Sequence, residues 1–164
     1  MYPKPLQKLI DIFTKFPGIG PRQAGRFAFF ILKDGEGLNE DLISALKEVK
    51  EKVVFCRQCF RSTEGGESSI CAVCRDPKRD QETIAVVEKE SDMQNLEKTK
   101  LHQGVYHILG GIISPFDAAS SQKLHLREMY GRVKNILEQQ KKCEVILATG
   151  STTEGDTTAL YIER

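Results

Sequence analysis

Cys56, Cys59, Cys71 and Cys74 are spaced C-x-x-C, eleven residues, C-x-x-C, and no other feature of the chain constrains its folding as strongly. Two tight turns of this kind each present a pair of thiolates to one tetrahedral zinc ion. Gly65 and Gly66 lie in the spacer, which need only reverse the chain. Two disulfides or four unrelated thiols are the alternatives. The N-terminus, MYPKPLQKLI, lacks the apolar stretch of a secretory signal. No apolar run reaches the roughly 18–20 residues that span a bilayer. A cytoplasmic, reducing compartment without membrane association is therefore expected, and it favours a metal over disulfides. Four protein ligands leave no place for water, so the ion should be structural and not catalytic. The fifth cysteine, Cys143, stands beside an apolar strand and reads as an ordinary half-buried thiol.

The quartet lies in a stretch, 53–80, with almost no periodic apolar pattern, so its core must come from elsewhere. Before it, Leu6, Leu9, Ile10 and Phe13 follow a helical period, broken by Pro17, Gly18, Gly20 and Pro21. Ala24, Phe27, Ala28 and Ile31 resume that period with Pro21 at the first helical position, and Gly35 and Gly37 are expected to end it. Leu42, Ala45, Leu46 and Val49 predict a third helix capped by Asn39, the three helices sharing their apolar faces. After Asp80 strands and helices alternate: Ile84 to Val87, a helix from about Ser91, Val105 to Leu109, a helix from about Leu124 to Gln140, then Val145 to Ala148. Such alternation predicts a parallel sheet with helical crossovers. The expected fold is α/β in three modules: a helical 1–52, a zinc finger 53–80 and a β/α region 81–164. The connection 111–122, with Pro115, is expected to be a mobile or interacting loop.

Composition is near the globular average, with 40% hydrophobic and 29% charged residues, which excludes a disordered tract, a collagen-like chain and a coiled coil. The formal net charge of +1 conceals an asymmetry. Residues 1–33 carry six basic side chains and one acidic, a net of +5, whereas 81–164 carry ten basic and twelve acidic, a net of −2. Within the basic segment, FPGIGPRQAGRF joins two helices through a glycine loop at a helix N-terminus, where backbone N–H groups suit a phosphate. Arg22 and Arg26, four apart, would repel one another on an isolated helix by a few tenths of a kcal/mol, and an anion between them reverses that sign. The alternative is a plain helix connection with solvated arginines.

This loop resembles a helix-hairpin-helix. Its succession with the quartet, and the segments FPGIGPRQAGRFAF, IAVVEKESDMQNLEKT, YHILGGIISPFD and EVILATGSTTEGDTTALY, is similar to the RecR family of bacterial recombination mediators across the whole chain. The resemblance implies a non-enzymatic, ring-forming, homo-oligomeric DNA-binding protein associated with the nucleoid. It would act with RecO, and in some pathways RecF, to help load RecA on single-stranded or gapped DNA. Arg22, Arg26, Gly18 and Gly20 would then touch DNA. RecR chains extend beyond the helix begun by Thr157 to Glu163, so a shortened form or a minimal homologue is expected here, with apolar surface or a sheet edge left uncovered.

The same resemblance makes 81–164 look like a Toprim fold, in which a glutamate ends the first strand and acidic residues follow a later one. Glu88 takes the first place with Asp92 a helical turn on. The Asp-x-Asp pair that helps hold Mg²⁺ in Toprim primases and topoisomerases is replaced by Ala148-Thr149-Gly150-Ser151, with Glu154 and Asp156 arriving later. A weak Mg²⁺ site is therefore possible but disfavoured. Glu88, Asp92, Glu154 and Asp156 read instead as an acidic rim for a protein partner. Gly150 to Gly155 matches half of a phosphate-binding loop, but Asp156 stands where that motif needs lysine, which argues against ATP hydrolysis. His102, His107 and His125 have no partner at ligand or triad spacing, and His107 is expected to be packed or on the surface. The rival functions are a Mg²⁺-dependent Toprim-type nuclease or primase-like fragment using Glu88, Glu154 and Asp156, and a protein-binding adaptor whose hairpin loop is only structural.

Overall fold

A computed structural model describes residues 2–33, 36–66, 68–114, 117, 119–139 and 141–164. The chain divides into two compact units, Met1–Lys52 and Val53–Arg164.

The first unit is helical: α1 Lys4–Phe13, α2 Pro21–Lys33 and α3 Glu36–Lys52. Ala24 and Ala28, both fully buried, sit four apart on α2 and let α1 approach closely. Ile10 fills the contact with Leu6, Leu9, Phe13 and Ile19 around it. Phe27 closes it edge-on against Phe13, with ring centroids 5.8 Å apart. This pair satisfies its own apolar stripe, and α3 does not join it. Leu42, Leu46 and Val49 on α3 remain 39%, 62% and 60% exposed, so the expected three-helix cluster is a two-helix hairpin followed by a solvated helix. Asn39 lies inside α3 and so does not cap it, and Gly37 likewise sits within α3. Gly35 and Pro115, to which the sequence assigned breaks, and Gln140, the expected helix end, lie outside the described residues.

The second unit opens with a short antiparallel ribbon, β1 Val53–Phe55 against β2 Ser62–Glu64, and one turn of helix, α4 Ala72–Arg75. Then come β3 Asp80–Val87, α5 Glu90–Thr99, β4 Gly104–Ile108, a 3-10 turn Ser120–Lys123, α6 Leu126–Glu138, β5 Glu144–Ala148 and α7 Thr153–Glu163. The sheet is parallel with order β4-β3-β5, in which Val87 lies opposite both Ile108 and Ala148. Central β3 is covered on both faces, which is why Ile84 to Val87 reads as an unbroken apolar run. Ala85 and Val87 face the cysteines and Met93 of α5, while Ile84 and Val86 face Met129 of α6 and Ile162 of α7. The missing core of 53–80 is thus supplied by the sheet itself. Cys143 is half-buried in the second of these layers.

A polar cluster beneath the sheet was not visible in the sequence. The fully buried Tyr106 donates its hydroxyl to Glu97 Oε2 at 2.7 Å, and Arg79 pairs with the other oxygen of Glu97 while donating to the Gly104 carbonyl at 3.0 Å. Burial, reinforced by the ionised Glu97, pushes the Tyr106 phenol up to about 12. A raised phenol favours the neutral form in the fold, so this contribution to stability is intact below the ordinary tyrosine range, near 10, and is lost as pH rises toward 12. A tyrosinate absorbance titration should contain one group delayed to about pH 12. Tyr106→Phe should remove that step, and its persistence in the variant would contradict the assignment.

Candidate functional site

Three constellations carry the chemistry. In the first, the four thiols converge: the Sγ atoms of Cys56, Cys59, Cys71 and Cys74 all lie within 4.8 Å of one another. Sulfurs about 3.8 Å apart are what a tetrahedron with metal–sulfur bonds of about 2.3 Å requires. Backbone turns create the arrangement. Cys56 N–H donates to the Arg61 carbonyl at 2.8 Å, Phe60 N–H closes the knuckle onto the Cys56 carbonyl at 2.9 Å, and Arg75 N–H bonds the Cys71 carbonyl at 3.1 Å. The amide of Cys71 points at Cys56 Sγ, 3.3 Å away, as amides do toward a thiolate. Hydrogen bonds to Cys71 and Cys74, with burial, hold the Cys59 thiol far above its ordinary range, while the bond from Cys59 lowers Cys71. Four buried thiols at this separation cannot all ionise unaided; a cation that prefers sulfur lets them do so. The quartet fits a tetrahedral metal ion, and no disulfide links it.

The knuckle is locked to the sheet by contacts that spacing alone could not reveal. Ile108 N–H donates to the Cys59 carbonyl at 2.9 Å, covering part of the free edge of β4. Arg132 of α6 donates to the carbonyls of Gln58 and Tyr106 at 3.2 and 2.8 Å. Phe60, at φ +62°, stacks on His125 with centroids 3.7 Å apart and meets His107 edge-on at 5.4 Å. His107 is fully buried, and its Nε2 donates to the His125 carbonyl at 2.8 Å. Burial lowers it to about 4, so it is neutral near pH 7 and serves packing.

The second constellation is the hairpin between α1 and α2. Gly18 takes φ +77°, which L side chains rarely adopt, and lets the chain turn sharply before α2. The Gly20 carbonyl accepts from Gln23 and Ala24 and so starts the helix. Among the described residues the amides of Gly18, Gly20 and Arg22 find no protein acceptor, and Arg22 and Arg26 have no carboxylate within ion-pair reach. A β-carbon on either glycine would meet open space. Donors and cations therefore face solvent together at the positive end of a helix.

The third is the set of carboxylates near the ends of the parallel strands, where the structure assigns each a different task. Glu88 Oε1 accepts the Gly150 amide at 2.7 Å, tying β3 to the β5–α7 turn. Asp92 accepts the Lys89 amide at 3.0 Å and caps α5. Glu154 and Asp156 occupy the first turn of α7, where negative charge complements the helix dipole. Among the described residues the cysteines form the one group of three or more potential ligands that converges on a point. The glycine pair of the half phosphate loop has a packing role: the Gly155 amide donates to Thr152 Oγ1 at 3.0 Å in an N-cap, with the Gly150 carbonyl pressed against it.

The fold and its sites define a class: a helix-hairpin-helix unit followed by a four-thiolate metal ribbon docked on a parallel Toprim-type sheet. Residues 6–50 match the RecR helix-hairpin-helix family, and residues 82–164 match the Toprim domain. The chain is 45% identical over its full length to the "Recombination protein RecR" of Cutibacterium acnes, covering 78% of that protein. It is 44% identical over 161 residues to the one from Prochlorococcus marinus strain AS9601, covering 98% of this chain and 77% of that one. To the one from Moorella thermoacetica it is 41% identical over 163 residues, 99% and 78% of the two chains. The chain belongs to the RecR family. Among its described residues, no helix is long and apolar enough to cross a membrane.

Proposed function

We propose that this chain is a non-enzymatic DNA-binding scaffold of recombinational repair. The observation that carries the reading is the hairpin, where unpaired amides at Gly18 and Gly20 stand beside the unpaired Arg22 and Arg26 in a segment of net charge +5. Phosphates satisfy all of these groups at once, which makes binding weakly selective for sequence and strongly dependent on salt. A structural zinc ion, one per chain, occupies the four cysteines and fixes the ribbon on the sheet. The affinity of so few cations becomes useful when several copies share one DNA, which favours a homo-oligomeric clamp. Its DNA is single-stranded or gapped, and its place is at the nucleoid. The rim of Glu88, Asp92, Glu154 and Asp156 offers acidic surface to RecO, and in some settings RecF, on the way to loading RecA. The Mg²⁺-dependent alternative is weakened because Glu88 and Asp92 already accept backbone amides and no three carboxylates converge among the described residues.

The Arg22→Ala/Arg26→Ala double variant tests the reading. Losing two phosphate contacts should weaken binding at low salt by about tenfold or more and flatten the slope of log affinity against log salt by roughly 1.5, with unchanged helix content. A folded double variant that binds DNA with the wild-type salt dependence would overturn it.

A further inference from the structure

The outer face of α2 carries more than its two arginines. Arg22, Arg26, Phe29 and Lys33 follow one another at helical spacing on the side opposite the buried Ala24 and Ala28. With Tyr2 and Phe30 they line an open groove of about 810 Å³. Tyr2 packs edge-on against Phe29, with ring centroids 5.4 Å apart, and both Tyr2 and Phe30 remain more than half exposed, at 51% and 60%. Phe30 lies four residues after Arg26 and three before Lys33, so a cation flanks its ring on each side along the helix. Among the described residues none of the three cations has a carboxylate in ion-pair reach, and Asp11 is the sole acidic residue before residue 34.

Flat apolar rings left in water between unpaired cations fit a ligand that brings anions and flat apolar faces together. We propose that this groove is a single-strand DNA track in which Arg22, Arg26 and Lys33 hold phosphates while Phe30 and Tyr2 stack on unpaired bases. The inference rests on the DNA-binding reading above and adds to it Lys33 as a third phosphate contact and Phe30 and Tyr2 as the residues that sense unpaired bases. A duplex hides its base faces in its own stack and can offer this groove phosphates alone, whereas a single strand offers both. A second copy of this chain would bring the same three cations to the same place, and like charges argue against that occupant.

The experiment compares an oligo-dT strand of twenty nucleotides with an abasic strand of the same length, using the whole zinc-loaded chain at fixed salt. Wild-type protein should bind the abasic strand about 5- to 30-fold more weakly. Phe30→Leu keeps the apolar bulk but removes the flat face. It should lose about fivefold or more on oligo-dT, with an unchanged salt slope and unchanged duplex binding. Lys33→Ala should instead flatten the salt slope and leave the preference for bases over abasic sites intact. Equal affinity of the wild type for both strands would overturn the track, as would full oligo-dT binding by Phe30→Leu. Fall of the molar mass in light scattering on Phe30→Leu would also overturn it, by making the face an interface between copies. Unaltered oligo-dT binding by Arg22→Ala/Arg26→Ala would overturn the wider DNA-binding reading, which a base-blind but salt-dependent wild type would leave standing.

Discussion

Removing the metal, or replacing Cys56 with serine, should unfold much of the unit 53–164. The four thiols are 0–6% exposed and share one core with Val87, Tyr106 and Ile108, so an ion held by them would sit inside the packing of the β/α region. Without a cation the quartet reverts to four thiols that cannot ionise together, and the metal–sulfur bonds that tie the two C-x-x-C turns to one another are lost. Metal binding and folding are linked, so the loss is a loss of fold stability of at least about 5 kcal/mol. Chelation should lower the melting temperature by roughly 15 °C or more, and readdition of one zinc per chain should restore it. Cys143→Ser is the control. That thiol is half-buried in the opposite layer and outside the quartet, and its replacement should cost about 1 kcal/mol. A chelated protein that keeps the melting temperature of the metal-loaded one would contradict the structural role.

That prediction rests on the part of the molecule most legible in the sequence. Cysteine spacing is a local property, and a C-x-x-C turn positions its thiols without help from distant residues. The β/α alternation was legible for a related reason: Ile84 to Val87 must be apolar at every position because both faces of β3 are covered. Where the reading failed, the deciding contacts were long-range or compensated. Asn39 looks like a helix cap, but α3 begins at Glu36 and carries it inside. The period of Leu42, Leu46 and Val49 is genuine, yet α1 and α2 already bury one another and leave that face solvated. Phe60 gives no hint of its place on His125, sixty-five positions away, nor Tyr106 of its bond to Glu97. Arg22 and Arg26 were grouped by charge and helical spacing. Lys33, Phe30 and Tyr2 were not grouped with them, because the groove exists only when Tyr2 meets Phe29 across the hairpin.

Gly155→Ala should be among the most damaging single-carbon additions in the chain. A β-carbon built there lies 2.0 Å from the Gly150 carbonyl oxygen and 3.0 Å from its carbon, and both are backbone atoms. Relief would require moving Gly150, whose amide is held by Glu88 Oε1 at 2.7 Å and whose carbonyl accepts from Thr152 at 2.8 Å. Moving α7 instead would strain the buried Thr158, whose hydroxyl accepts the Ile113 amide at 2.9 Å and donates to the Glu154 carbonyl at 2.7 Å. Either route breaks hydrogen bonds in a packed turn, and the cost should be about 3 kcal/mol or more. For a unit of this size that lowers the melting temperature by roughly 10 °C. Gly131→Ala provides the contrast within one fold. Gly131 lies inside α6 with nothing within 4 Å of its added carbon, so alanine there should stabilise by about 0.5–1 kcal/mol through helix propensity. Opposite signs for the two substitutions in thermal unfolding would establish that Gly155 is required for the close approach of α7 to the Gly150 carbonyl. A Gly155→Ala protein as stable as the wild type would show that the turn yields, and the close approach of the two glycines would then lose its structural explanation.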